Sequence, residues 1–164
     1  MKALIQRVAR ACVTVDGETI GRIERGYLVL LGVTHTDTER EARYLAHRTV
    51  NLRVFSDAQD RMNLALGDVD GGVLVVSQFT LYADTRKGNR PGFTDAAPPD
   101  RADALYRVYV EALQRALGEQ RVACGVFRAA MEVEIVNDGP VTVELLSEGR
   151  TRAKETGVGP AVDR

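Results

Sequence analysis

Val73-Leu74-Val75-Val76-Ser77-Gln78-Phe79-Thr80-Leu81-Tyr82-Ala83-Asp84 is the stretch on which the fold of this chain turns. Behind the Gly71-Gly72 pair it starts as an unbroken apolar run, the pattern of a strand covered on both faces. Ser77, Gln78 and Thr80 then fall at what is expected to be the end of that strand. Polar groups there either satisfy neighbouring backbone groups or line a pocket at the strand's end.

Working outward, Tyr27–Val33 is a second continuous apolar run and a candidate neighbour in the centre of a sheet. Before it, Val13-Thr14-Val15, Asp16-Gly17 and Glu18–Ile23 read as a hairpin with a strong turn dipeptide. After it, Thr38 and Glu41 stand at capping-box spacing, and Ala42, Leu45, Ala46, Thr49 and Val50 follow at helical intervals. His47 lies one position off that apolar stripe and reads as a surface residue. Arg53-Val54-Phe55 is a short strand candidate, followed by a polar turn region from Ser56 to Asn63. The pair Asp68/Asp70 lacks the pattern of a calcium loop and reads as a solvated turn.

Beyond the opening stretch, Ala83–Pro99 is a long polar connection carrying Arg86, Lys87 and Arg90, three cations within five residues, together with Phe93. Loops of this length in a compact domain are usually either functional or disordered. The cations suit phosphates and Phe93 a base or a partner surface, while a plain solvated loop is the other reading and the first one on sequence alone. Asp100 is expected to cap a helix whose apolar face is Leu105, Val108, Tyr109, Ala112, Leu113 and Ala116, with Gly118 as its stop. The alternating runs Met131–Val136 and Val141–Leu145 flank Asn137-Asp138-Gly139-Pro140, and the expectation is two strands around a four-residue turn. From 148 to 164 the chain is polar and small-residue-rich, and a mobile tail is expected after a domain spanning 1–147.

The composition bounds the answer. A chain of 164 residues, 45% hydrophobic and 27% charged, fits one domain with a proper core. Its net charge of −1 supplies no global attraction for nucleic acid, so any RNA must be held by a local patch. Cys12 and Cys124 have neither redox nor metal-ligand spacing and read as reduced, buried thiols in a cytoplasmic protein. No signal-peptide core and no membrane span is expected. Strands and helices mix without strict alternation, which favours an α/β domain of layered mixed or antiparallel sheets with two main helices packed on one side.

The chemistry is constrained by what is missing. There is no Gly-x-Gly-x-x-Gly or phosphate loop, no Gly-x-Ser-x-Gly elbow, no catalytic-cysteine setting and no metal set, so neither a cofactor nor a metal is expected. The two histidines, His35 and His47, precede Ser77 and Thr80 by a long interval. Backbone N–H donors at the end of the Ser77–Thr80 stretch remain able to stabilise an oxyanion. An ordinary hydrolase with Thr80 as nucleophile, and a non-enzymatic RNA-binding module built on Arg86, Lys87 and Arg90, are the competing readings.

Five stretches taken together are more specific. Gln6-Arg7-Val8, Leu30-Leu31-Gly32-Val33, Ser77-Gln78-Phe79-Thr80-Leu81, Lys87-Gly88-Asn89-Arg90-Pro91 and Asn137-Asp138-Gly139-Pro140-Val141-Thr142 resemble the D-aminoacyl-tRNA deacylases, in order and separation, over about residues 1–146. The resemblance implies a homodimer that hydrolyses the ester of a D-amino acid, or of glycine mischarged on alanine tRNA, at the acceptor end of the tRNA. It implies that Ser77, Gln78, Phe79 and Thr80 line the site, with Gln78, Phe79 and Thr80 in the catalytic set. Phe127 and Met131 would join Ser77 in holding substrate, and Gly139 and Pro140, joined by a cis bond, would reach into the partner's site to exclude L side chains. Catalysis would lean on the 2′-hydroxyl of the terminal adenosine and on the Phe79 N–H, and Arg86, Lys87 and Arg90 would meet the tRNA. The chain departs from the family pattern at Phe127-Arg128-Ala129-Ala130-Met131, which lacks an aspartate before the methionine, and at Gly92 after Arg90-Pro91.

Overall fold

The computed structural model describes residues 1–147. The expected tail, 148–164, lies outside the described residues. Strand β1 (Lys2–Val15) turns at Asp16-Gly17, both at positive φ (50° and 82°), into β2 (Glu18–Ile23). β3 (Gly26–Gly32) returns antiparallel along the first half of β1. The hairpin and the central apolar strand are thus as the pattern of turn dipeptide and apolar run requires.

The helix that follows, α1 (Glu39–Val50), opens on the Thr38/Glu41 capping box and buries Ala42, Leu45, Ala46 and Thr49. His47 is exposed, as expected. Of the next strand candidate, Arg53-Val54-Phe55, only Phe55 is strand: Phe55–Ser56 (β4) pairs with Met62–Leu64 (β5) in a small separate hairpin that reaches into the region expected to be a polar turn. β6 (Gly72–Ser77) then runs parallel to β3, with Leu31 opposite Ser77. α2 (Pro99–Leu117) lies over the sheet and stops at Gly118, whose φ is 92°. β7 (Val122–Cys124) pairs parallel with β6, and β8 (Glu132–Leu146) returns along the whole of β1. The order β2-β1-β3-β6-β7, with β8 on β1, is one mixed sheet. Its curl brings Gly21 of β2 against the Cys124 carbonyl of β7, giving an almost closed barrel.

Alternation along the strands sorts the core. Val73 and Val75 join Tyr27, Val29, Leu45, Tyr109 and Leu113 under the two helices, whereas Leu74, Val76, Leu28, Val8 and Val13 fill the opposite face. The helices are joined by a buried polar contact: the Tyr109 hydroxyl meets Thr49 Oγ1 at 2.7 Å, and Thr49 Oγ1 donates to the Leu45 carbonyl at 2.9 Å. Burial pushes the Tyr109 phenol well above its ordinary range, so it stays neutral and can donate. Tyr109→Phe removes one buried bond but leaves Thr49 satisfied by Leu45, and is expected to cost about 1 kcal/mol, measurable as a shift in the chemical-denaturation midpoint.

Three expectations are corrected. The strand of the opening stretch ends at Ser77, and Phe79–Tyr82 form a 3-10 turn instead of continuing it. Gly32 makes room for that turn: a Cβ there would sit 3.1 Å from Leu81 Cβ and 3.2 Å from the Gln78 carbonyl. At α2 the cap position is held by Pro98 with no side-chain bond, and Asp100 sits in the first turn, where its charge still suits the helix dipole. Finally, Asn137–Pro140 is not a turn between two paired strands. Val8 pairs with Asn137 and Gln6 with Thr142, so residues 138–141 oppose Arg7 alone and bulge from a single continuous strand. Turn chemistry is present, but β1 is long enough to pair with both flanks, and that ladder decides the path.

Candidate active site

The parallel pair β3/β6 ends at Leu31 and Ser77, and a cavity of about 800 Å³ opens there. Ser77, Gln78 and Phe79 form one wall, Leu31 and Val33 with His35 another, Phe93, Thr94, Ala96–Pro99 and the start of α2 a third, and Phe127–Ala129 with Met131 the last. A crevice at the carboxyl ends of parallel strands is where α/β sheets commonly place ligands. Gln78 is positioned by its N–H, which donates to the Leu31 carbonyl at 2.8 Å. Its side-chain amide donates to Thr80 Oγ1. As the first residues of a 3-10 turn, Phe79 and Thr80 present amides that have no acceptor within that turn.

Of the residues singled out from the sequence, the cavity therefore brings together Ser77, Gln78, Phe79, Phe127 and Met131. Thr80, Arg86, Lys87, Arg90, Gly139 and Pro140 do not line it, and the bulge carrying Gly139 and Pro140 lies opposite Arg7, towards the start of β3 and away from the cavity. Among the described residues the lining contains no carboxylate, and its basic groups are His35 and Arg128. His35 bonds the Thr94 carbonyl through Nε2 at 2.7 Å, which ties the loop after β3 to the opposite wall. Thr34 reinforces that tie by donating to the Asp95 carbonyl at 2.5 Å, and the Ala97 N–H donates to the Val33 carbonyl at 2.9 Å. Phe79 and Phe93, both exposed, meet edge-to-face with centroids 4.9 Å apart at the mouth. At the rear, Tyr106 donates to the Val75 carbonyl at 2.9 Å, and burial pushes both its phenol and the Cys124 thiol upward, leaving them neutral.

Sequence reasoning left His35, Thr94 and Arg128 unassigned. Parallel pairing was the signal for the first: a residue shortly after Leu31 must emerge at the same sheet end as Ser77. Thr94 and Arg128 come from connecting segments, where periodicity says nothing about direction.

The three cations of the long loop separate. Asp84 and Gly92 pair in an isolated bridge, with 85–91 as the loop between them. Arg86 folds back on Asp84 in a bidentate contact, both bonds at 2.8 Å, and this bond holds the Asp84 carboxyl well below the ordinary range. Lys87 and Arg90 are exposed and make no ion pair among the described residues.

Gly139 and Pro140 stand exposed on the bulge of β8, with a cis bond between them. Arg7 supports the bulge from β1: Nε donates to the Asp138 carbonyl at 3.0 Å and pairs with its carboxylate at 3.2 Å, and Nη1 donates to the Val54 carbonyl.

Comparison with known proteins fits this geometry. The family model described as D-Tyr-tRNA(Tyr) deacylase matches residues 4–146. The D-aminoacyl-tRNA deacylase of Caldicellulosiruptor saccharolyticus is 52% identical over 148 residues, covering 90% of this chain and 98% of the relative. That of Anaeromyxobacter dehalogenans is 58% identical over 147 residues, covering 88% and 96%. Among solved structures, one titled c-Myc DNA Unwinding Element Binding Protein superposes with a TM-score of 0.86 at 43% identity, covering 91% of this chain and all of that one. A curled mixed sheet with a cavity at its parallel strand ends, in a chain whose relatives over nearly their whole length are deacylases, defines an α/β enzyme of the hydrolase class. Within that class, the chain belongs to the D-Tyr-tRNA(Tyr) deacylase family.

Proposed function

We propose that the protein hydrolyses the ester of D-aminoacyl-tRNA, and of glycine mischarged on alanine tRNA, releasing the free amino acid and tRNA in the cytoplasm. The observation that carries this reading is the composition of the cavity. Ser77, Gln78 and Phe79 stand at the strand ends, while the wall holds no carboxylate to serve as a general base. Such a site suits a substrate that brings its own hydroxyl, the 2′-OH of the terminal adenosine, and a protein that contributes amide donors at Phe79 and Thr80. Phe127 and Met131 supply apolar surface for the nucleoside, and the Phe79/Phe93 pair offers rings on which a base stacks. Lys87 and Arg90, which make no ion pair among the described residues, are the candidates for the tRNA backbone, with Arg86 the weaker one because Asp84 already occupies it.

Gly139 and Pro140 belong to the site of a second copy. They project from β8, are exposed, and do not line their own chain's cavity. Backbone carbonyls placed against the substrate's α-carbon reject an L side chain by crowding, which leaves D side chains and glycine poorly distinguished from one another.

The test is a paired assay. D-tyrosyl-tRNA and L-tyrosyl-tRNA are incubated with the protein; cleavage of the first with sparing of the second is expected. Binding of both without cleavage would instead identify an RNA-binding module. A second measurement addresses the nucleophile. Thr80 has Gln78 as its hydrogen-bond partner and no basic side chain bonded to it among the described residues, so Thr80→Ala is expected to retain kcat within about tenfold. A loss on the order of 10⁴-fold or more, with folding and tRNA binding intact, would make Thr80 the nucleophile and overturn the backbone-led mechanism.

A further inference from the structure

Resting on that reading of the cavity as an aminoacyl-tRNA site, we infer that Arg128 binds the phosphate joining the 3′-terminal nucleoside to the preceding nucleotide. Its position is the first reason. Arg128 lines the cavity, is exposed, and has no ion-pair partner among the described residues. Apart from His35, which is tied to Thr94, the remaining lining is apolar or neutral. A guanidinium there faces a cavity without a compensating carboxylate, an arrangement that selects an anion.

The backbone is the second reason. The Ala129 N–H donates to the Val126 carbonyl at 3.2 Å, and within this tight turn Arg128 adopts φ 65°. That conformation suits glycine and is strained for a long side chain. An arginine held there gains nothing locally, so its benefit lies in what its side chain meets.

The ligand's own layout is the third. With the ester at Ser77–Phe79 and the nucleoside against Phe127 and Met131, the next charged group along an RNA 3′ end is a phosphodiester. Arg128 follows Phe127 directly on that wall. A planar guanidinium donates two parallel N–H bonds to phosphate oxygens, which positions the nucleotide as well as attracting it. Its charge also disfavours the α-ammonium of the amino acid, so the aminoacyl group is steered to the opposite end. Lys87 and Arg90 do not line the cavity and are placed for phosphates further along the chain.

The experiment uses three D-tyrosyl esters: of the full tRNA, of the dinucleotide cytidylyl-adenosine with its single phosphate, and of adenosine with none. Arg128→Gly removes the charge at a position whose backbone glycine adopts freely, so the variant is expected to melt no lower than the parent protein. Its kcat/KM is expected to fall about tenfold on the tRNA and dinucleotide esters, and the loss is confined to these phosphate-bearing substrates. The salt dependence of log KM for the tRNA becomes shallower by roughly 0.7, the contribution of one phosphate on a single strand. Arg128→Lys, keeping charge without the bidentate geometry, recovers part of the loss. An equal loss on all three esters, a loss on the tRNA alone, or no loss would each overturn the inference. If the parent protein cleaves none of the three, the reading of the site itself fails, an outcome distinct from any pattern among the variants.

Discussion

Replacing Gly139 with alanine is expected to lower kcat/KM for D-tyrosyl-tRNA by about 10²-fold while leaving the protein folded. Gly139 has φ 127°, and a Cβ built there would lie 2.9 Å from Val141 Cγ2, 3.0 Å from Arg7 Nη2 and 3.1 Å from the Val141 amide nitrogen. Little of this can yield. Arg7 is held by the Asp138 carbonyl and carboxylate and by the Val54 carbonyl, and Val141 is locked into the resuming ladder at Thr142. The bulge must therefore re-form, and the exposed carbonyls of Gly139 and Pro140 move with it. The residue is exposed and of its neighbours Val141 packs against the core only half-buried, so the stability cost is mainly that of positive-φ strain, roughly 1–2 kcal/mol. On the proposed reading, in which the pair enters the cavity of a second copy, activity falls further because that steric gate would lose its shape. Steady-state kinetics on both enantiomers check this: the D rate should drop while the D/L ratio narrows. A variant with full activity and full discrimination would remove the Gly139-Pro140 pair from the site.

The central strands were readable because burial on both faces leaves an unbroken apolar run, and both Tyr27–Val33 and Val73–Val76 carry one. The helices were readable from the Thr38/Glu41 box and the 3.6-residue period. Misreadings arose where a local signal met a longer-range constraint. Asn-Asp-Gly-Pro has every feature of a turn, yet the length of β1 keeps both flanks on one ladder and converts the turn into a bulge opposite Arg7. Phe79–Tyr82 has strand composition, but strand β6 stops at Ser77 and the chain folds over Gly32, a contact written in no local pattern. The site shows the same division. Ser77, Gln78 and Phe79 stand at a strand end and were found; His35 and Arg128 reach the cavity only through the pairing of β3 with β6 and through an irregular turn.

Asp37 is the residue whose loss is expected to cost the most stability. Its carboxylate is 2% exposed and forms an ion pair with the equally buried Met1 ammonium. It also accepts the Thr34 N–H at 2.8 Å, while its backbone carbonyl accepts from Arg101 Nη2 at 2.7 Å. Ser147 closes the group, accepting from the Met1 nitrogen at 2.6 Å and donating its own N–H to the Met1 carbonyl at 3.0 Å. Deleting one member of a buried ion pair leaves the other charge without its counter-charge, a penalty larger than the net worth of the pair. Asp37→Ala is therefore expected to destabilise by about 3–5 kcal/mol, visible as a fall in melting temperature of roughly 6–20 °C for a domain of this size. The effect should reach the cavity, because the loop that Asp37 anchors carries Thr34 and His35, whose bonds to Asp95 and Thr94 hold the opposite wall. KM is accordingly expected to rise in Asp37→Ala at temperatures where the variant is still folded. Asp37→Asn keeps one acceptor oxygen, for Met1 or Thr34 but not both, sets an NH2 against the other donor and loses the charge, so it should also be destabilised, by less than Asp37→Ala. A loss below about 1 kcal/mol for Asp37→Ala would mean that the ammonium finds water on the variant's surface, and that the ion pair does not anchor the loop.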